Sequence, residues 1–113
     1  MVSLEKLHQS TRDGLDIILH YFPEARDSVG NEKRAFRAFR PAEKTPSAHL
    51  YAPRSGAKVP CWRVCDYGDD TESLSPIDIV MRQESLRFSE AVMKMAALIV
   101  KAQITAAATR SVF

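Results

Sequence analysis

The chain has 113 residues, of which 45% are hydrophobic and 27% charged, and its formal net charge is +2. This composition is typical of one globular domain and excludes a chain too polar to form a core. The longest apolar run, Met95–Val100, is far shorter than the roughly 20 residues of a transmembrane helix. The N-terminal residues lack the basic and apolar pattern of a secretory signal. We therefore expect a cytoplasmic protein with no membrane partner.

The first twenty-odd residues show the spacing of two short helices. Ser3 is a plausible N-cap for the first, and Ser10 with Asp13 resembles a capping box for the second. Gly14 disfavours one continuous helix, so we expect two pieces that meet near Thr11. The apolar face of the second piece has the helical spacing i, i+3, i+4 and i+7, in Leu15, Ile18, Leu19 and Phe22.

The middle of the chain, residues 33–67, is predicted to form about three strands. Residues 33–40 have a period of three that fits neither helix nor strand cleanly, but Pro41 ends them as a strand would end. His49–Ala52 is a short strand, and Cys61–Tyr67 is the clearest one because its side chains alternate. The residues 68–70 (Gly-Asp-Asp) are expected to turn out of the sheet.

Two cysteines, Cys61 and Cys65, lie four residues apart in the last of these strands. On one strand their Cα atoms would be about 13 Å apart, which is too far for a disulfide. Reduced thiols in a reducing compartment are the simpler interpretation.

The C-terminal half contains two well-marked helix starts. Ser75, Pro76 and Asp78 supply an N-cap, a proline at the first position and an acid in the first turn. Ser89 is the second predicted N-cap, and the flanking apolar pair is placed for a hydrophobic staple, formed by Phe88 and Met93. Residues 101–113 are alanine-rich and are expected to be a helical tail or the start of a linker. The whole chain, 1–113, is interpreted as one domain with its core at about residues 12–100.

Charge is concentrated in the window Lys33–Arg63, which has eight basic residues and one acid, a net of +7. The rest of the chain then carries −5. Five of the nine Phe, Tyr and Trp residues of the chain also lie between Phe36 and Tyr67. Lysine and arginine with interleaved aromatic rings are the means by which proteins follow a phosphate backbone and stack bases. The alternative is that the rings are core and the bases are a solvated face of the sheet.

Eight residues are the candidate nucleic-acid contacts: Arg34, Arg37, Arg40, Lys44, Lys58, Trp62, Arg63 and Tyr67. Trp62 and Tyr67 differ by an odd number of positions and so lie on opposite faces of a strand. They cannot both be buried against the same helices. One of the two is therefore the better candidate for a stacking platform.

Several short sequence motifs occur in a recognisable order. EKTPS at Glu43–Ser47 is followed by the aromatic strand, by IDIVM at Ile77–Met81 and by LRFSEAV at Leu86–Val92. This order resembles the N-terminal zinc-binding domain of DnaG-type bacterial DNA primases, over roughly Leu15 to Ala97. The resemblance implies an α+β fold, with a zinc-ribbon-like antiparallel sheet flanked by N-terminal helices and two C-terminal helices.

The metal ligands of that family are mostly missing from this chain. Ala38, Pro41 and Gly68 stand where three of the four ligands are expected, and Cys65 alone remains. Structural zinc requires a closed set of four ligands, and an improvised set of His49, Cys61 and Cys65 lacks the fourth, for which Asp66 or Asp69 would be an unusual ligand. We therefore expect no metal and no other cofactor, with aromatic packing replacing the zinc, and a zinc site completed differently is the less favoured alternative.

The resemblance also implies a function. The primase domain contacts single-stranded template DNA, and polymerisation resides in a separate downstream domain, so we expect a nucleic-acid-binding module that is not an enzyme by itself. Its expected partners are single-stranded DNA and a primase catalytic domain or a replicative helicase. The alternative function is that of a protein-interaction domain, from a replication or mobile-element protein, that does not bind DNA.

Overall fold

The computed structural model describes residues 3–38, 46–67 and 70–112. Four α-helices, one 3₁₀ helix and three strands occur in these ranges. In chain order they are α1 (Leu4–Gln9), α2 (Leu15–Tyr21), the 3₁₀ helix (Pro23–Ser28), β1 (Ala48–Tyr51), β2 (Arg63–Asp66), β3 (Asp70–Leu74), α3 (Pro76–Glu84) and α4 (Phe88–Val112).

The three strands form one antiparallel sheet in the order β1-β2-β3. The helices precede and follow it in the chain. The predicted α+β class is thus confirmed, with a small three-stranded antiparallel sheet between N-terminal and C-terminal helices. The centre of the sheet pairs Leu50 with Val64 and Val64 with Leu74 across the strands.

The position of the sheet along the chain differs from the predicted range 33–67. In the described part of residues 33–40, pairing is limited to a bridge between Phe36 and Ala48. The third strand is instead β3, which begins at Asp70, where a turn was expected. Its residues have little β-propensity of their own, so their pairing with β2 determines the structure.

The two N-terminal helices are separate, as predicted. Ser3 caps α1 by accepting a hydrogen bond from the Lys6 N–H at 3.2 Å. The predicted capping box of Ser10 and Asp13 is wrong, because Ser10 instead ends α1 and Asp13 has a positive φ of 58°. Gly14 begins α2 with a φ of +87°.

Gly14 also allows a close approach between α2 and α3. A Cβ atom at this position would lie 2.2 Å from Cγ of Pro76. Such a contact is impossible without a backbone shift. The same glycine therefore supplies the left-handed turn and the space into which the first residue of α3 packs.

The start of α3 agrees with the prediction in detail. The Ser75 hydroxyl accepts from the backbone N–H of Asp78, and the Asp78 carboxylate accepts from the backbone N–H of Ser75. This reciprocal capping box satisfies two donors that a helix end would otherwise leave without partners.

The start of α4 is two residues earlier than the predicted N-cap at Ser89 implies. The helix begins at Phe88, and the Glu90 carboxylate accepts from the backbone N–H of Arg87 at 3.1 Å. The predicted hydrophobic staple is wrong, since Phe88 is 53% exposed and Met93 is 74% exposed. Among the helices described, none has both the length and the apolar character required to cross a bilayer.

Buried apolar side chains form two groups. The sheet core lies between the sheet, α2 and the 3₁₀ helix, and its members are Leu15, Ile18, Phe22, Ala25, Phe36, Ala38, Ala48, Leu50, Val64 and Ile79. The helical core joins α1, α2, α3 and α4, and its members are Leu7, Ile17, Ile77, Val80, Ala91 and Met95. One face of the sheet thus packs against helices through the sheet core.

Candidate functional site

The two faces of the sheet have different chemistry because side chains alternate along a strand. Leu50 and Val64 point into the sheet core and are fully buried. The opposite face carries His49 and Tyr51 from β1, Arg63 and Cys65 from β2, and Tyr67 directly after β2. We call these five residues the sheet face. The register pairs His49 with Cys65 and Tyr51 with Arg63, so the strands bring them together.

An aromatic group occupies one part of the sheet face. The Tyr67 ring is 55% exposed, and its hydroxyl is 2.7 Å from the hydroxyl of Tyr51. The ring also meets His49 edge-on, with centroids 5.4 Å apart. Nδ1 of His49 is 2.7 Å from the carbonyl oxygen of Glu32, which holds the imidazole in place. An exposed ring is thus fixed on a rigid strand by its neighbours.

The Tyr67 hydroxyl is neutral at physiological pH. Its hydrogen bond with Tyr51, followed by desolvation, raises the pKa of Tyr67 to about 12. The group therefore offers hydrogen bonds without adding negative charge, which would repel an anionic ligand.

A cleft of about 450 Å³ opens over this face, and we call it the first cleft. Its described lining includes Tyr51 and Tyr67 on one side and Arg54 and Arg63 on the other, with Val59 from the loop between β1 and β2. These lining residues include two arginines and no carboxylate. The combination of rings, phenol hydroxyls and positive charge suits a ligand that is both aromatic and anionic.

The Arg63 guanidinium is bound to the protein on three sides. Nε donates to the Ser73 hydroxyl at 2.7 Å and Nη2 donates to the Ser73 carbonyl at 2.8 Å. Nη1 is 3.9 Å from Sγ of Cys61. Arg63, a predicted phosphate contact, therefore links β2 to β3 and holds its charge at a fixed place in the first cleft.

The other predicted basic contacts have different environments. The Arg37 side chain donates to the Glu24 carboxylate at 3.3 Å, and its backbone N–H donates to the same group at 3.2 Å. Arg34 and Lys58 are exposed. Arg40 and Lys44 lie outside the described residues. Of the predicted cations that are described, Arg37 is the one paired with a carboxylate, that of Glu24, which weakens its availability to a phosphate.

The two candidate stacking residues lie in different environments. Trp62 is half-buried and packs against the sheet core, while its backbone N–H donates to the Asp13 carbonyl at 2.9 Å. Tyr67 is exposed on the opposite side of the strand. Of the two rings, Tyr67 is the more accessible, and Trp62 contributes to the core.

The two cysteines are free and buried. Burial is the largest influence on Cys61 and raises the pKa of its thiol, although Arg63 opposes the shift. Among the described residues, no group of three or more His, Cys, Asp or Glu side chains is close enough together to hold a metal ion. His49, Cys61 and Cys65 are thus not assembled into a metal site. Ala38, where the resemblance would place a ligand, is part of the sheet core.

The residues of the first cleft that were not predicted contacts include Tyr51, Arg54 and Ser73. Arg54 lies three residues after the end of β1 and was counted as a base in the charged window, so its charge near a strand end was the available signal. Tyr51 and Ser73 reach the cleft through the pairing of Tyr51 with Arg63 and of Cys65 with Ser73. Strand register of this kind cannot be read from the sequence of one strand alone.

No protein-family model, curated protein or solved structure gives a significant match to the chain. A functional interpretation consequently depends on the chemistry of the first cleft and its surroundings.

Proposed function

We propose that the chain is a binding module for single-stranded nucleic acid, and that the sheet face holds the ligand. The observation that carries this proposal is the exposed Tyr67 ring, fixed by Tyr51 and His49 in a cleft that also contains Arg54 and Arg63. A base stacks on a ring of this kind, and the adjacent cations neutralise the phosphates.

The distribution of charge supports the proposal. The window Lys33–Arg63 carries +7. Its exposed basic residues lie before and after β1 in the chain: Lys33, Arg34, Arg54 and Lys58. The remaining residues carry −5, and their acids include Asp66 of β2 and Asp70 and Glu72 of β3. A polyanion is therefore attracted to the basic residues between Lys33 and Arg63 rather than to the sheet as a whole.

The size of the first cleft favours a single strand over a duplex. At about 450 Å³ it is in the range of small-ligand pockets, large enough for one nucleoside but not for a base pair with both backbones. Bases in a duplex are stacked on each other and cannot present a face to Tyr67. An unpaired base can enter.

The resemblance to the primase N-terminal domain favours DNA as the ligand and replication as the setting. In that setting the partner is a primase catalytic domain or a replicative helicase, and the protein works in the cytoplasm. We propose binding rather than catalysis for this chain. The thiol of Cys61, with its pKa raised by burial, is a weak nucleophile at neutral pH.

The proposal is tested by fluorescence anisotropy with a labelled single-stranded oligonucleotide over a range of salt concentrations. We expect binding that weakens steeply as salt increases, because phosphate contacts release counterions. The double variant Arg54→Ala/Lys58→Ala should reduce the slope of log K against log salt by about 1.4, since each phosphate contact on a single strand contributes about 0.7.

The matched control is Lys6→Ala/Arg87→Ala, which removes two exposed charges from the helical side. It should leave the slope unchanged. Equal effects of the two double variants would show that any cation suffices and would contradict a site on the sheet face. Absence of binding at low salt would contradict the proposed function altogether.

One observation favours the alternative function, a protein-interaction domain. Met93 and Val100 are exposed apolar residues on the same side of α4, since they are seven positions apart. Exposed apolar side chains in a row are typical of protein contacts. Met93→Gln should leave oligonucleotide binding unchanged if the sheet face is the site, and loss of a protein partner in a pull-down with unchanged DNA affinity would favour the alternative.

A further inference from the structure

A second cleft, of about 430 Å³, lies beside the first. Residues from the turn after the 3₁₀ helix line one side, including Asn31 and Lys33, and Trp62 and Leu50 line another. Ala52 belongs to the lining of both clefts. The two clefts therefore adjoin, with Ala52 between the Tyr67 side and the Trp62 side.

The second cleft differs from the first in its chemistry. Its described lining has one acid and one base, Glu32 and Lys33, and so no net charge. Trp62 and Leu50 give it an apolar wall, and the Asn31 carboxamide has both donors and acceptors. An uncharged cleft with an indole and an amide suits a nucleobase better than a phosphate.

Trp62 is well placed to serve as a stacking surface. It packs partly against the sheet core, and its backbone N–H is held by the Asp13 carbonyl. Residues 30–33 form the opposite wall, and the contact between His49 and the Glu32 carbonyl joins this wall to β1. Both walls are thus fixed before a ligand arrives, which reduces the entropy lost on binding.

We infer that the second cleft is a second nucleobase site, which takes another base of the strand whose first base lies on Tyr67. The strand then passes Ala52 at the end of β1, and Tyr67 and Trp62, on opposite faces of the sheet, are its two platforms. Arg54 lines the first cleft and Lys33 the second, so each cleft offers a cation to the connecting backbone. This inference rests on the proposed function, because it extends the same bound strand.

Trp62 is the one tryptophan of the chain, so its fluorescence reports on the second cleft directly. The probes are thymidine 5′-monophosphate, the dinucleotide d(TpT) and the tetranucleotide d(TpTpTpT). We expect the tetranucleotide to quench Trp62 emission and to bind at least tenfold more tightly than the mononucleotide, because a second stacked base adds to the affinity. Tyr67→Leu should weaken this binding roughly tenfold.

Variants of the second cleft separate stacking from folding. Trp62→Phe keeps a ring and should retain most of the affinity for a labelled tetranucleotide, whereas Trp62→Leu should weaken it roughly tenfold. Because Trp62 contacts the core, the exposed Asn31→Ala is the second variant, and it should weaken binding without lowering the melting temperature. Gln83→Ala removes an exposed amide from α3 and is the matched control.

The outcomes distinguish this inference from the function on which it rests. If no oligonucleotide binds in the anisotropy assay, both are overturned. Suppose that Tyr67→Leu weakens binding, that the tetranucleotide does not change Trp62 emission, and that Asn31→Ala binds as tightly as the wild type. The second base site alone is then overturned. If the mononucleotide quenches and binds as well as the tetranucleotide, the cleft takes a free nucleotide and the continuous two-base site is overturned.

Discussion

The helical core and the sheet face differ in what their residues do. In the helical core, Leu7, Ile77 and Met95 are buried and contact one another across α1, α3 and α4. On the sheet face, Tyr67 is open to solvent and Arg63 is held by polar contacts at the edge of a cleft. One region is closed by apolar packing, and the other has rings and positive charge without a cover.

The difference indicates that separate sets of residues stabilise the fold and offer a binding surface. The helices and the sheet core stabilise the fold from one side of the sheet, and the exposed Tyr67 lies on the opposite side, where we propose the ligand binds. Substitutions in the helical region should therefore change the free energy of unfolding and leave the intrinsic affinity of the folded protein intact. Substitutions on the sheet face should do the reverse.

The largest expected effect on stability is that of Gly14→Ala. The new Cβ would lie 2.2 Å from Pro76 at a φ of +87°, so left-handed strain adds to a steric clash. We expect a loss of about 3 kcal/mol in the free energy of unfolding. Gly30→Ala is the matched control, because its φ is +78° but nothing lies within 4 Å. Urea denaturation of both variants measures the difference, and equal losses would show that the contact with Pro76 is unimportant.

Tyr67→Leu should have its main effect on binding. Loss of one stacking ring is expected to weaken affinity for a single-stranded oligonucleotide roughly tenfold, with an unchanged melting temperature because the ring is exposed. Tyr67→Phe keeps the ring and loses the hydrogen bond to Tyr51, so it should bind nearly as well as the wild type. Anisotropy titrations measure both, and a Phe variant as weak as the Leu variant would argue against stacking.

Ser75→Ala removes the N-cap of α3. The Asp78 N–H loses its acceptor and the capping box is broken, which should cost about 1 kcal/mol of stability. Affinity for nucleic acid at a temperature where the variant is folded should not change. Ser89→Ala, at an exposed position in the first turn of α4, should alter stability by less than about 0.5 kcal/mol. A Ser75 variant as stable as the Ser89 variant would contradict the capping role.

The smallest expected effect concerns pH. His8 is buried, with no hydrogen-bond partner at either ring nitrogen among the described residues, and burial lowers its pKa below 6.5 although Asp13 opposes the shift. The unfolded chain therefore binds the proton more readily. The contribution of His8 to stability is complete above pH 6.5 and decreases as pH falls below that value towards its folded pKa.

His8→Leu tests this directly. Its stability, measured by urea denaturation, should decrease less than that of the wild type as pH falls from about 7.5 to about 5.5. Parallel curves for the two proteins would show that His8 does not titrate between the folded and unfolded states.

The helices could be predicted because their signals are local. Ser75, Pro76 and Asp78 lie within four residues of each other and determine the start of α3 by their own chemistry. The start of α2 was missed by the capping-box pattern, since the backbone at Asp13 is left-handed and Gly14 is at the N-cap. The close fit of Gly14 and Pro76 depends on packing between helices distant in sequence, which no local pattern contains.

The sheet and the candidate site were harder to predict because they depend on non-local pairing. Apart from Thr71, the residues of β3 do not favour a strand, and pairing with β2 determines it. The charged window and the aromatic residues drew attention to the region of Tyr67, where the first cleft lies. The inclusion of Tyr51, Arg54 and Ser73 in the first cleft follows from register and loop position, which become known only with the fold.

The most direct test of the division between the two regions is a chemical-shift map of the ¹⁵N-labelled protein titrated with a single-stranded oligonucleotide. We expect the largest amide shifts at residues 49–67 and at Ser73, around the two clefts, with residues 76–96 of α3 and α4 nearly unchanged. Shifts concentrated on α4 near Met93 and Val100, with Tyr67 and its neighbours unaffected, would contradict a ligand site on the sheet face.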